Sequence, residues 1–288
     1  MSAPTPSLAR TCCITGTGGY LGGCLVRHFK QRGWRVVELN RSGTILAGGD
    51  EARSHRLGDP FPGSLEAPSL LVHAAYDFTP LAWEEIHARN VLGAELLFAS
   101  ARTAGTGRIL HISSMSAYPG CRSLYGRAKL LAEAHAARHG GISLRPGLIH
   151  DESQPGGMVG KLRSLVSLSP VIPIPGRGRN VLYFTHQEDL CRVVGYYGEG
   201  GDWGSESVLT AANPTPWMFR DILKELARRQ NRPLLCIPTP WQMSWMALKL
   251  AEISGDNLPL KSDSLISLLN QNPSFDYNAK IISEFREF

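Results

Sequence analysis

Tyr125 and Lys129 stand four residues apart in Tyr125-Gly126-Arg127-Ala128-Lys129, the spacing that puts two side chains on one face of a helix. The chemistry open to such a pair is proton transfer to or from oxygen. A phenol titrates at about 10, and lowering it by about three units takes roughly 4 kcal/mol of preferential stabilisation of the phenolate. An ammonium one turn away works in that direction. The same spacing also fits a half-buried tyrosine beside a surface lysine, so the pair needs company before it means catalysis.

That company is a glycine-rich turn near the start of the chain, Thr15-Gly16-Thr17-Gly18-Gly19-Tyr20-Leu21-Gly22. It is entered from the apolar run Cys12-Cys13-Ile14 and left through Leu25-Val26-Arg27-His28-Phe29. Gly16, Gly19 and Gly22 thus fall where a strand gives way to a helix. Glycine there lets the backbone bend sharply and lets a pyrophosphate approach the free N–H groups of the helix N-terminus. With a strand before it and a helix after it, the turn reads as a dinucleotide site. Tyr20 and Leu21, inside the turn, are counted among its contacts.

The end of the second strand sets the nucleotide preference, because a carboxylate there suits the ribose hydroxyls of NAD and an arginine suits the extra phosphate of NADP. In Val36-Val37-Glu38-Leu39-Asn40-Arg41-Ser42 the strand-end residue is Asn40, followed by Arg41. NADP is therefore the expected cofactor, with NAD the alternative. Glu38 is the competing carboxylate, one pleat too early for the role.

The elements that must position these residues alternate along the first half. Strand-like runs are expected at Thr11 to Thr15, Arg35 to Leu39, His55 to Leu57, Leu70 to Ala74, Arg108 to Ser113 and Ile142 to Leu144. Helical spacing covers Leu21 to Arg32, Trp83 to Ala104 and Ser123 to His139. This is the pattern of an α/β protein with a doubly wound parallel sheet. After Arg145-Pro146-Gly147 prolines break the texture, from Pro155-Gly156-Gly157 onward. Residues 8–147 are accordingly read as the dinucleotide-binding domain with the catalytic residues. Residues 148–288 are read as a smaller, mainly substrate-binding subdomain with some segments returning to the sheet.

Composition narrows the class. The chain has 288 residues, 43% hydrophobic and 19% charged, as in an ordinary globular enzyme. A formal charge of +5 without a basic run gives no nucleic-acid surface. Six cysteines without a Cys-x-x-Cys pair support neither zinc nor thiol exchange, and no metal is expected. Reduced thiols fit a cytoplasmic location. Met1 to Pro6 reads as a short disordered leader. Trp241 to Ile253 is too short to span a membrane and contains Lys249 and Glu252, so it is expected as a packed helix.

Together, the glycine turn and Tyr-x-x-x-Lys resemble the short-chain dehydrogenase/reductase superfamily. The form Thr-Gly-x-x-Gly-x-x-Gly is similar to its extended branch, the NAD-dependent epimerase/dehydratase family, over nearly the whole chain. The resemblance implies a Rossmann fold and roles for further residues. Leu57-Gly58-Asp59 resembles the segment whose aspartate contacts adenine, which points to Asp59. His73-Ala74-Ala75 resembles the motif lining the cofactor, which points to Ala74 and Ala75. Asn90-Val91-Leu92-Gly93 is similar to the helix carrying the active-site asparagine, so Asn90 would support a proton relay. Ser113-Ser114-Met115-Ser116-Ala117-Tyr118 resembles the segment whose serine holds the reacting oxygen. Ser113 and Ser116 are rivals there, and family spacing favours Ser114. Leu144-Arg145-Pro146-Gly147 resembles the strand end beside the nicotinamide, which adds Pro146. Tyr125 would be the acid/base, with Lys129 holding the ribose and depressing the phenol; both count as cofactor contacts. Relatives pair through helices at the positions of Trp83 to Ala104 and Ser123 to His139, so a homodimer is compatible.

Farther on, Gly176-Arg177-Gly178-Arg179 and Tyr183 to Asp189 resemble a structural signature of the same branch. Thr185 and Glu188 fit a capping box, which makes His186 structural. Where dehydratases carry an Asp-Glu pair after the catalytic hydroxyl, this chain has Met115 and Ser116, so elimination has no visible catalyst. The interval from Ser114 to Tyr125 is short for a sugar-nucleotide epimerase. Leu148-Ile149-His150-Asp151 replaces the family's asparagine and Tyr-Gly-Pro run, which puts a UDP-sugar in doubt. Lys161, Arg163, Arg177 and Arg179 suit either a diphosphate or a solvated loop. His150 and Asp151 are either substrate contacts or turn residues. The reading is an NADP-preferring reductase or epimerase acting by hydride transfer on a small-molecule carbonyl or secondary alcohol, a sugar nucleotide among the candidates; the alternative is a non-catalytic NADP-binding redox sensor.

Overall fold

A computed structural model describes residues 10–154, 156–202, 204–255, 260–272 and 285–288. The leader Met1 to Pro6, the first two residues of the 8–147 half and Pro155 of the Pro-Gly-Gly turn lie outside the described residues. The chain forms two compact units, each gathered from three segments. One holds the residues up to Ile112 with Ala132–Ser143 and Cys191–Val208; the other holds Ser113–Leu131, Leu144–Leu190 and the residues from Leu209 onward.

In the first unit the chain runs β1 (Thr11–Thr15), α1 (Tyr20–Gln31), β2 (Arg35–Asn40), β3 (Glu51–Ser54), β4 (Leu70–His73), α2 (Trp83–Ile86), a π-helical turn (His87–Leu92), α3 (Gly93–Thr103) and β5 (Arg108–Ile112). Pairs β1–β2, β1–β4, β2–β3 and β4–β5 are all parallel. Strands of this kind are buried on both faces, which is why β1, β2, β4 and β5 read as continuous apolar runs. Cys13, Val37, Leu71, Leu97, Phe98 and Ile109 meet in one core. Helix α1 buries Leu25, Val26 and Phe29, and Phe29 meets Trp34 edge-on at 5.1 Å.

The third strand is not at His55 to Leu57, where it was expected, but at Glu51–Ser54. It is the last strand of the sheet, and Glu51-Ala52-Arg53-Ser54 pairs with Val37 to Asn40. An edge strand satisfies one side of its backbone and needs little apolar surface, so a polar sequence can supply it.

Helices α4 (Leu124–Arg138) and α6 (Gln187–Gly198) and strands β6 (Ile142–Pro146) and β11 (Val208–Ala211) run from one unit into the other. With them the sheet has seven strands in the order β11-β6-β5-β4-β1-β2-β3. It is a doubly wound α/β sheet flanked by helices, as the alternation of elements predicts.

The second unit contains β7 (Leu148–His150), α5 (Gly157–Leu168), β8 (Val171–Pro175), β9 (Val181–Leu182), β10 (Phe184–His186), β12 (Trp217–Met218), α7 (Phe219–Arg229), β13 (Leu235–Thr239), α8 (Trp241–Ser254) and α9 (Ser262–Leu269). Three strand pairs, β10–β7, β12–β9 and β13–β8, lie outside the main sheet. They are short or broken by proline, and the sequence pattern does not announce them. Helix α7 turns Phe219, Ile222, Leu223 and Leu226 inward, where they join Leu162, Val166, Ile172 and Phe184. Helix α8 is packed on one side only: Trp245, Leu248, Ala251 and Glu252 are half-buried, whereas Met243, Met246, Leu250 and Ile253 are exposed. Among the described residues no helix is long and apolar enough to cross a membrane.

Candidate active site

The glycine turn of the first unit is built by backbone crowding. Gly16 has φ +75, in the left-handed region that favours glycine, and a Cβ there would lie 2.9 Å from the backbone of Ala75. The Thr15 hydroxyl accepts the N–H groups of Ala74 and Ala75 at 3.1 and 3.2 Å, so β4 is tied against the turn. Gly19 donates its N–H to the Gly16 carbonyl at 2.9 Å and stands at the N-cap of α1. A Cβ on Gly22 would meet that same carbonyl far inside 3.0 Å. Helix α1 has no side-chain cap and no acidic residue in its first turn, which holds Tyr20 and Leu21. Close backbone approach at an uncapped helix start fits a pyrophosphate.

At the end of β2, Asn40 is 7% exposed and fully employed. Its amide donates to Thr17 Oγ1 and to the Thr44 carbonyl, and its carbonyl oxygen accepts Ser42 Oγ and the Gly43 N–H. It shapes the turn that presents Arg41, which is exposed. Glu38 points elsewhere: its carboxylate accepts the N–H groups of Leu46, Ala47 and Gly49 at 2.8 to 3.0 Å. Burial alone would raise that carboxyl, but the three N–H groups and the Thr17 hydroxyl hold it below the usual range. Asp59 is exposed and accepts the Arg56 N–H at 2.7 Å, closing its own turn.

Asn90 sits in the π-helical turn and is 5% exposed. It accepts the Asp77 N–H at 2.7 Å and donates to the Asp77 carbonyl at 3.1 Å. The pair fixes the segment after β4, and Asp77 is further held by Arg89 at 2.9 Å. Sequence reasoning passed over Asp77, whose only signal is its place three residues after Ala74.

The second unit holds the other group. Ser113 and Met115 donate their N–H groups to the carbonyls of Leu144 and Pro146, so the segment after β5 runs beside the end of β6. Ser113 is buried at 3% exposure, whereas Ser114 is half-buried and hydrogen-bonded to the Tyr125 phenol. The hydroxyl of Ser116 pairs instead with Ser267 at 2.8 Å. Lys129, one turn beyond Tyr125, is 4% exposed. Gly126 is a further requirement: a Cβ there would strike the Ser116 carbonyl. Burial pushes the Tyr125 phenol up to about 12, and the Ser114 hydrogen bond only moderates it. The chain's own groups thus keep the phenol protonated at neutral pH rather than lowered, because desolvation of the phenolate outweighs the one hydrogen bond.

The segment after Pro146 also differs from expectation. Helix α6 begins at Gln187, so Thr185 is one residue too early to cap it. Its hydroxyl donates to the Ala211 carbonyl at 2.6 Å and accepts the Gly147 N–H at 2.8 Å. The His186 ring accepts the Glu188 N–H instead, and Glu188 pairs with Arg286.

His150 is 3% exposed, with neither ring nitrogen bonded among the described residues. Phe184, His186 and Phe288 surround it edge-on. Burial first, then the neighbouring His186 and Arg229, lower it to about 4. The folded state therefore refuses a proton that the unfolded state takes up below the ordinary value of 6.5. Stability is lost as pH falls through that window, by about 2 kcal/mol between about pH 7 and pH 5. His150→Leu is expected to remove most of that acid loss. Urea unfolding at the two pH values checks it, and an unchanged difference rejects it.

The NAD dependent epimerase/dehydratase family model matches residues 12–202. The 2-alkyl-3-oxoalkanoate reductase of Stenotrophomonas maltophilia (strain K279a) is 30% identical over 114 residues, 36% of this chain and 33% of the reductase. This chain thus matches about a third of that relative's length. Among solved structures, MoeE5 in complex with UDP-glucuronic acid and NAD has a TM-score of 0.64 at 22% identity, over 80% of this chain and 85% of that one. UDP-glucuronic acid 4-epimerase from Bacillus cereus in complex with NAD has a TM-score of 0.67 at 16% identity, over 80% and 87%. These two likenesses speak for the fold. With the glycine turn and the tyrosine helix both inside the matched region, the chain belongs to the NAD dependent epimerase/dehydratase family, a group of enzymes of the extended short-chain dehydrogenase/reductase type.

Proposed function

We propose that the protein is an NADP-preferring reductase or epimerase that acts on a carbonyl or secondary alcohol. The observation that carries this reading is the hydrogen bond between Ser114 and a Tyr125 phenol that the chain keeps protonated. In it, Tyr125 gives a proton to the substrate oxygen or takes one from it, and Ser114 orients that oxygen. Lys129 holds the ribose and, with the positive ring of the oxidised cofactor, draws the phenol down from about 12 when alcohol is to be oxidised. The bound nucleotide supplies hydride transfer. Gly16, Gly19 and Gly22 seat its pyrophosphate, and Ala74, Ala75 and Pro146 line it. Asp59 contacts the adenine, and Asn90 supports proton relay by holding the segment at Asp77.

Residues 148–288 serve mainly as the substrate-binding half. Met115 and Ser116 in place of an acid–base pair speak against elimination, and Leu148-Ile149-His150-Asp151 in place of the family's asparagine and Tyr-Gly-Pro run favours a carbonyl substrate other than a UDP-sugar. The reductase from Stenotrophomonas maltophilia, named for a 2-alkyl-3-oxoalkanoate, points the same way.

The NADP preference rests on Asn40 standing where a carboxylate would bind the ribose, on Glu38 being spent on the 46–49 loop and on Arg41 being exposed. Arg41→Ala is expected to weaken NADPH binding about tenfold, the equivalent of about 1.4 kcal/mol, and to leave NADH nearly unchanged. Fluorescence titration of both nucleotides against wild type and variant measures it. Tighter NADH binding that ignores Arg41 would sink the preference. Cofactor stoichiometry then separates the two activities, since a reductase consumes NADPH and an epimerase returns it.

A further inference from the structure

We propose that α9 positions the Tyr125 helix and that Asp263 is the residue that fixes where this helix begins. The inference rests on Tyr125 being the acid/base of the proposed reaction.

The first N–H groups of any α-helix need partners from outside its own ladder. At the start of α4 two of them are taken by one carboxylate: Asp263 accepts the Leu124 N–H at 2.7 Å and the Tyr125 N–H at 3.0 Å. The Ser123 hydroxyl accepts the next one, from Gly126, at 3.1 Å. A carboxylate in that place also complements the positive end of the helix. It comes from a residue 138 positions later in the chain than Tyr125.

Asp263 is not the only tie. Ser267 meets Ser116 at 2.8 Å, and the Tyr118 hydroxyl donates to the Asn270 carbonyl at 2.8 Å. The residues from Asp263 to Asn270 therefore hold the stretch between Ser114 and Tyr125 at three places. Helix α9 is itself secured to α8, because Glu252 accepts both the N–H and the hydroxyl of Ser262. Gly126 has no room for a Cβ against Ser116, so the helix start and the serine segment move as one. An error at Leu124 would reach the Ser114–Tyr125 hydrogen bond directly. Asp263 accepts only backbone N–H groups here, which makes it a positioning residue; the side chain that bears on the phenol is Ser114.

The test is fluorine NMR of the full chain with 3-fluorotyrosine placed at 125, titrated with pH in wild type, Asp263→Asn, Asp263→Ala and Ser267→Ala. Asparagine keeps one of the two acceptor oxygens, sets an NH2 group in place of the other and drops the charge; alanine drops everything. In Asp263→Ala the resonance is expected to broaden or split, and its midpoint to fall by about one pH unit or more as the phenol gains water. Asp263→Asn, which loses one of the two acceptors, is expected to fall between wild type and alanine, and Ser267→Ala to move in the alanine direction by less. If Asp263→Ala does not fold, Ser267→Ala carries the test. A wild-type line and midpoint in both alanine variants would overturn the proposal. NADPH titrated into the same samples reports separately on the proposed reaction. Loss of nucleotide binding throughout would remove that reading and leave the helix result standing.

Discussion

Tyr125→Phe is expected to lower carbonyl turnover about 10²- to 10⁴-fold while leaving NADPH affinity nearly unchanged. The substitution keeps the ring and its burial and removes only the hydroxyl that Ser114 meets. The structural cost is therefore one hydrogen bond, on the order of 1 kcal/mol, and the variant should fold. The catalytic cost is larger, because proton delivery to a developing alkoxide has no other donor of comparable placement on the helix. A phenol at about 12 is fully protonated at neutral pH, ready to give its proton in the reductive direction. In the oxidative direction the rate should climb with pH as phenolate forms, and the variant should lose that climb. Steady-state rates in both directions, followed by NADPH absorbance across pH, check both statements. A variant that retained a tenth or more of the wild-type rate would hand the proton to another group.

Much of this was legible along the chain, and the reason lies in how local each signal is. The glycine turn announced itself because β1, Gly16 to Gly22 and α1 are consecutive, and each needs only its neighbours to take its shape. Tyr125 and Lys129 were legible because a four-residue spacing on a helix is itself a geometry. Glu38 was harder: its alternation argued against a ribose contact, but nothing in the sequence shows its carboxylate gathering three amides from residues 46 to 49. The edge strand at Glu51–Ser54 was missed because edges need no apolar run. Thr185 misled by one residue, since a capping box predicts a register and the strand pairing of β10 with β7 set a different one. Asp263 was out of reach altogether. No pattern within the first half tells which distant carboxylate will arrive at Leu124.

Gly22→Ala is expected to abolish NADPH binding and to destabilise the chain by about 3 kcal/mol, the upper end of what overpacking usually costs. A methyl group on Gly22 would occupy space already filled by the Gly16 carbonyl and by Thr17. Neither is the movable tip of a side chain. The Gly16 carbonyl accepts the Gly19 N–H, and Gly16 itself is wedged against the backbone of Ala75, so the turn has no free direction in which to retreat. Relief requires α1 to move off β1, and that opens the surface a pyrophosphate would use. The neighbouring Gly23 is the control. A methyl group there would find nothing nearer than 3.6 Å, and Gly→Ala inside a helix is worth roughly 0.5 to 1 kcal/mol in favour of the alanine. Two identical substitutions at adjacent positions are thus expected to have opposite signs. Thermal unfolding and NADPH titration of both variants measure the contrast. If Gly22→Ala bound NADPH as wild type does, the crowded turn would not be the nucleotide seat, and the site would have to be sought elsewhere on the sheet.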